Sequence, residues 1–189
     1  SLNNWNNQGW VLDDYDGVLS SQSDFLYPNS LDLSLTSLFQ IPSGEYIAEL
    51  NIRYELEWEY DLFSIYSNSN NEDTMIGSVT GHDYEWKKSF FNFPLAESST
   101  LKLGFISDES LDYRGVKIDY INIFKKPDGE CDTGDLNQDT ISDILDAIMI
   151  VNFIMDENAT GFEFCLSDLN EDNIINVIDI IALINIIIA

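Results

Sequence analysis

The sequence predicts a mainly β chain, an antiparallel β-sandwich over residues 1–127 followed by a small α-helical domain over residues 128–189. Three observations predict it. Before position 127, short runs alternating apolar and polar residues recur every ~8–12 residues, punctuated by Asn, Gly, Ser and Asp. The composition then changes at Lys125-Lys126-Pro127-Asp128-Gly129: all 8 basic residues lie at or before Lys126, and 14 acidic residues follow it. Finally, residues 135–155 and 168–188 repeat one pattern at an offset of 33.

Taken in order, the polar stretch 3–8 predicts a loop or an irregular edge. Residues 46–58 alternate apolar and polar side chains over many residues, the period of a strand with one face buried. Residues 62–66 form a second strand, closed by a polar turn over 67–73. Strands over 75–79, 84–93, 100–106 and 116–124 follow, and no helical period precedes residue 128. Pro127-Asp128-Gly129 is a turn or linker signal. Beyond it, each copy of the repeat ends in an apolar helical run.

The charge balance is extreme: 34 acidic against 8 basic residues, a formal net charge of -26. Hydrophobic residues make up 44%, so the acidity does not mark a disordered chain, which couples charge to low hydrophobicity. It excludes unaided binding to nucleic acid or an anionic membrane, both of which need basic patches. It favours divalent cations, which relieve crowded carboxylates. The apolar tail over 174–189 is short and interrupted by Asn176, Asp179 and Asn185, so no membrane span is expected. With His82 the only histidine, a His-rich zinc site is excluded. The chain opens on Ser1, which reads as an excised fragment or a mature product.

The repeat has the spacing of a Ca²⁺ loop. Oxygen-bearing side chains recur at loop positions one, three, five, nine and twelve, and the seventh residue contributes a backbone carbonyl. The ligands of the first loop are Asp135, Asn137, Asp139, Ile141 through its carbonyl, Asp143 and Asp146. Those of the second are Asp168, Asn170, Asp172, Ile174 through its carbonyl, Asn176 and Asp179. Acidic helix caps without a metal would look similar one at a time. Two in-phase copies, each followed by an apolar helix, favour the ion. Position six, where Gly suits the sharp turn, holds Thr140 in one loop and Asn173 in the other. Asn tolerates left-handed backbone and Thr does so poorly, which predicts a weaker first loop.

These residues resemble the dockerin family over about 131–189. The resemblance implies two Ca²⁺ loop–helix repeats, closed by Asp at position twelve as Asp146 and Asp179 do here, and a cohesin-type protein partner. Cohesin-binding relatives often carry small polar residues at positions ten and eleven, where this chain has Ile144-Leu145 and Val177-Ile178. Both helices are apolar over most of their circumference, more than two helices can bury between them. The surplus is expected to pack on the β-domain, with a protein-binding face as the other reading. Cys131 and Cys165 stand just before the two loops, so a disulfide stapling the entrances is expected over two buried thiols.

The β-domain carries a second resemblance. Tyr27-Pro28-Asn29, Leu35-Thr36-Ser37, Tyr60-Asp61 and Gly115-Val116-Lys117-Ile118-Asp119-Tyr120-Ile121 are similar to pieces of the MAM-like jelly roll appended to secreted immune-inhibitor-A-type metallopeptidases. That resemblance implies a non-catalytic jelly-roll accessory domain of an exported protein. It also implies a third Ca²⁺ site in the sandwich, with oxygens from Asp119 and from Asp13, Asp14 or Asp16, against the plainer reading that Asp119 faces solvent or caps a turn.

Other chemistry is weaker. Glu55, Glu57 and Glu59 could line one strand face as a glycosidase-like carboxylate set, but a ladder at the strand period is more often a solvated face. Trp5, Trp10, Trp58 and Trp86 could stack on sugars, although large aromatics in a sandwich are mostly core. His82 lacks a companion His. Asn158-Ala159-Thr160 is a glycosylation sequon. The combined reading is a non-catalytic, calcium-stabilised accessory region of a larger secreted hydrolase, contacting a parent domain, a protein partner or a polysaccharide. Carbohydrate binding by the sandwich and dockerin–cohesin docking are the alternatives.

Overall fold

The computed structural model describes residues 2–13, 18–21, 26–126, 131, 134–156 and 159–189. Among the described residues, ten strands precede three helices: β1 (Trp5–Gln8), β2 (Val11–Leu12), β3 (Leu19–Ser20), β4 (Asp32–Ser37), β5 (Gly44–Glu55), β6 (Leu62–Ser69), β7 (Glu72–Val79), β8 (His82–Leu95), β9 (Thr100–Ile106), β10 (Gly115–Lys125), α1 (Ile144–Asp156), α2 (Gly161–Ser167) and α3 (Val177–Ile188). The strands form two five-stranded sheets, in the orders β1-β4-β9-β6-β7 and β2-β3-β10-β5-β8. Neighbours run antiparallel, as β4 with β9 and β6 with both β7 and β9. The architecture is a mainly β, jelly-roll-type sandwich followed by helices.

Local chemistry explains the elements. β4 alternates buried and less buried residues, placing Leu33, Leu35 and Ser37 inward. The β6–β7 hairpin turns on Asn70 and Asn71, both left-handed at φ 52° and 64°. Two consecutive left-handed residues match the twist of the flanking strands, and Asn pays little for that conformation. β6 therefore runs on to Ser69, and the turn expected over 67–73 shrinks to its tip. β1 takes the edge reading of the polar stretch rather than the loop. Its polar Asn6-Asn7-Gln8 run pairs with β4 at the sheet edge, where solvent takes the polar side chains.

The chain forms two compact units: residues 1–44, 50–88 and 94–121 make one, and residues 45–49, 89–93 and 122–189 the other. Segments of β5, β8 and β10 thus belong with the helices. In the first unit Phe63, Ile65, Leu103 and Phe105 are wholly buried. Tyr27 meets Phe105 edge-on at 5.1 Å and Trp10 meets Phe63 at 6.0 Å, the geometry that aromatic quadrupoles prefer.

The second unit has two apolar clusters. One joins Leu136, Ala147, Ile150, Leu166 and Leu183, drawing one face of α1 against α3. The other joins Ile47, Cys131, Phe164 and Cys165, with Phe90, Phe124 and Ile175 around it. Phe90 and Phe164 stack at 4.1 Å. A Cβ at Gly161 would collide with the Phe124 ring, so the start of α2 needs glycine. A capping box, Thr160 with Glu163, opens α2. The helical surplus is the correction. α2 and Ile175 supply this second cluster, while Ile148, Val151 and Met155 of α1 and Ile181, Ile184 and Ile188 of α3 are 42–75% exposed. Among the described residues, no helix is long and apolar enough to cross a membrane.

Candidate metal centre and aromatic face

The two loops fold alike. In the first, Asp135 accepts from the Asp139 and Thr140 amides at 3.1 and 2.9 Å, and Asp139 accepts from the Ile141 amide at 2.9 Å. In the second, Asp168 accepts from the Asp172 and Asn173 amides, both at 3.1 Å, and Asp172 accepts from the Ile174 amide at 2.9 Å. Position twelve closes each loop. Asp146 takes the Leu136, Asn137 and Asp143 amides, and Asp179 takes those of Leu169, Asn170 and Asn176. Both residues are fully buried. Position nine caps the helix that follows: Asp143 accepts from the Leu145 amide and Asn176 from that of Ile178. The sixth residues, Thr140 and Asn173, are left-handed at φ 76° and 66°.

The donor set fits a hard cation. Every side-chain donor is a carboxylate or carboxamide oxygen, and no Lys or Arg follows Lys126 in the sequence. Burial, with Asp179 and Asp172 close by, pushes the Asp168 carboxyl up to about 6 despite the amides it accepts. Burial likewise raises Asp179. A carboxylate held this way gains from a cation. Asp135, Asn137, Asp139, Asp143 and Asp146, with the Ile141 carbonyl, would hold one ion. Asp168, Asn170, Asp172, Asn176 and Asp179, with the Ile174 carbonyl, would hold the other. Such an ion supplies charge neutralisation and folding free energy.

The surroundings of the loops differ. Asn92 of β8 donates its amide to Asn173 Oδ1 at 3.0 Å and its Nδ2 to the same oxygen at 2.9 Å, with a longer contact to Asp168 at 3.4 Å. Nothing in the local spacing signals this link, since 81 residues separate the partners. Thr140, at the matching position of the first loop, is exposed. Cys131 and Cys165 form a disulfide with Cα atoms 5.0 Å apart.

The remaining candidates separate. Asp13 pairs with Lys117 at 2.7 Å, and exposed Asp119 accepts from Asn51 at 3.1 Å, while Asp14 and Asp16 lie outside the described residues, as does Asn158 of the sequon. Glu55, Glu57 and Glu59 do not share a strand face. β5 ends at Glu55, and Glu59 is left-handed at φ 68°. Glu57 instead groups with Asp61 and Asp108, their oxygens within 4.8 Å of one another. Both oxygens of buried Asp61 are engaged, by the Tyr27 hydroxyl, the Glu57 amide at 3.2 Å and the Asp108 amide at 3.0 Å. Burial and Asp61 hold the Tyr27 hydroxyl far above the usual tyrosine range. Asp61 is thus a structural hub that ties Tyr27-Pro28-Asn29 to Tyr60-Asp61.

The tryptophans divide too. Trp10 is core and Trp5 packs edge-on against Phe39 at 5.6 Å, whereas Trp58 is 64% and Trp86 37% exposed. His82, Tyr84 and Trp86 alternate along β8, the last strand of its sheet, and therefore share one face. All three are exposed. His82 and Tyr84 lie 5.1 Å apart with rings tilted by 30°, and Arg53 sits 4.7 Å over Trp86. The Trp58 ring lies against Gly81, where a side chain would clash. The turn bearing it is tied down by Thr80, which takes the Glu59 amide at 3.0 Å and donates to the Glu57 carbonyl at 3.2 Å. These aromatics are exposed, with Trp58 packed on Gly81 and Trp86 under Arg53.

No family model matches the chain, and no curated protein matches it. Solved structures with a similar fold include TmCBM61 in complex with β-1,4-galactotriose, at 13% identity and TM-score 0.46, covering 67% of this chain and 91% of that one. The C-terminal CBM6 of LamC, a marine laminarinase from Zobellia galactanivorans, is similar at 18% identity and TM-score 0.39, covering 65% and 90% of the two chains. A family 29 carbohydrate-binding module is similar at 16% identity and TM-score 0.40, covering 64% and 77%.

Proposed function

We propose that this chain is a non-catalytic, calcium-stabilised binding region of an exported protein, and that its sandwich contacts polysaccharide. The observation that carries the reading is the exposed row His82, Tyr84 and Trp86 on one face of β8, with Trp58 held against Gly81. Sugar rings present C–H faces that stack on aromatic planes, and a platform already rigid loses little entropy on binding. Neighbouring Arg53, over Trp86, offers a polar partner for hydroxyls. Calcium in the two loops serves the fold, since its binding free energy adds to stability. The disulfide suits an oxidising compartment. The resemblance of the sandwich to jelly rolls appended to secreted hydrolases supports placing it beside a catalytic domain. Affinity electrophoresis through gels containing soluble polysaccharides tests the reading. The wild type should be retarded by at least one glycan, and Trp86→Ala with Tyr84→Ala should migrate freely. Equal migration of wild type and variant in every gel sinks it.

A second reading has its own observation. The exposed apolar residues of the helical unit recur at the repeat offset: Ile144 and Val177, Leu145 and Ile178, Ile148 and Ile181, Val151 and Ile184, Met155 and Ile188. Faces this apolar suit a protein partner, such as a cohesin-type domain or a parent enzyme. Ile148→Ser with Ile181→Ser should abolish capture of such a partner while the melting temperature holds.

A further inference from the structure

We infer that Asn92 is a positioning residue for the second calcium loop alone, so that two loops with almost the same ligand types bind the ion unequally and the tighter one is held from a β-strand. The inference rests on the calcium reading above.

The loop turns at its sixth position, where the backbone must be left-handed. In the second loop that residue, Asn173, puts its carboxamide oxygen between two donors of one strand residue, the Asn92 amide at 3.0 Å and Asn92 Nδ2 at 2.9 Å. The Asn173 amide in turn donates to Asp168, the first ligand, at 3.1 Å. Asn92 Nδ2 also approaches the oxygen that accepts the Asn173 amide, 3.4 Å from Asp168 Oδ2. One strand residue therefore fixes the turn and the first ligand together. Asn92 is held in its own place by its strand and by the Phe90–Phe164 stack two residues away. The equivalent turn in the first loop rests on Thr140, exposed and left-handed at φ 76°. A β-branched residue is costly there.

Ion binding must order any part of the loop that is loose beforehand, and that ordering subtracts from affinity. A loop clamped in advance avoids the subtraction. The second loop thus fills at lower calcium than the first.

The test isolates each loop by disabling its twin, Asp139→Ala to leave the second and Asp172→Ala to leave the first, and measures Ca²⁺ affinity by isothermal titration. Asn92→Ala should weaken the second loop by about tenfold, the equivalent of ~1.4 kcal/mol, and leave the first within about twofold. Glycine at position six provides a sharper arm. Freed of backbone strain, Thr140→Gly should tighten the first loop, whereas Asn173→Gly removes the acceptor for both Asn92 donors and should weaken the second. Opposite signs for the same substitution would mark the clamp. If Asn92→Ala weakens both loops equally or neither, or if Asn173→Gly tightens the second loop, the inference is overturned. An unaltered protein that takes up no Ca²⁺ overturns the calcium reading itself, and this inference with it. Asn173→Gly keeps the test open should Asn92→Ala fail to fold.

Discussion

The two loops present a natural controlled comparison. Their ligand types differ at one position, Asp143 against Asn176, and their internal hydrogen bonds correspond almost one for one. Yet Asp168 is buried where Asp135 is half-exposed, and Asn173 is gripped from a strand where Thr140 faces solvent. The lesson is that ligand spacing defines what a loop can hold, and packing defines how ready it is to hold it. By charge alone the first loop, with four carboxylates against three, should bind more strongly. By preorganisation the second should. The substitutions below sharpen or break that contrast.

The largest expected effect is common to both loops. The disulfide closes a span of 34 residues, and replacing Cys131 and Cys165 by Ser should cost up to ~4 kcal/mol on the loop-entropy estimate. Urea unfolding in saturating calcium measures it. A cost confined to one loop's affinity, with no loss of stability, would break the picture of a shared staple. Next come the closing carboxylates. Asp179→Ala and Asp146→Ala each strand three backbone amides and should cost ~2–4 kcal/mol, with the Asp179 variant the worse because its loop is the one anchored to β8. Equal melting temperatures for the pair would argue that the loops are equivalent. Smaller again, Thr140→Gly should stabilise the calcium-free protein by ~0.5–1 kcal/mol through relief of the left-handed backbone, read as a rise in its melting temperature. The smallest effect is expected at the exposed helix faces. Val151→Ser and Ile184→Ser should change stability by less than ~0.5 kcal/mol, and a larger loss would mean those residues are packed.

What could be read from the sequence follows from how local its cause is. The two repeated loops were legible as loops because their oxygen-bearing residues lie within twelve consecutive positions. β5, β9 and β10 were legible because alternation is a local signal. β1 was not, because Asn6-Asn7-Gln8 becomes a strand only through its pairing with β4. α2 was missed for its shortness, though Thr160 and Glu163 spell a capping box. The surplus apolar surface of the helices was legible, but not its exposure. Covering was expected of α1 and α3, and the short α2 made the contacts with Phe90 and Phe124 instead. Asn92 left no trace, since its partner lies 81 residues away and Asn in a strand has many roles. The tryptophans were visible as a class, but only the fold separates Trp10 in the core from Trp58 and Trp86 at the surface.

The most direct test of the calcium account is calorimetric melting of the whole chain in calcium and in excess chelator. The account predicts two bound ions and a melting temperature that falls when calcium is withdrawn, with the helical unit losing its structure first. A melting curve indifferent to chelation would contradict it.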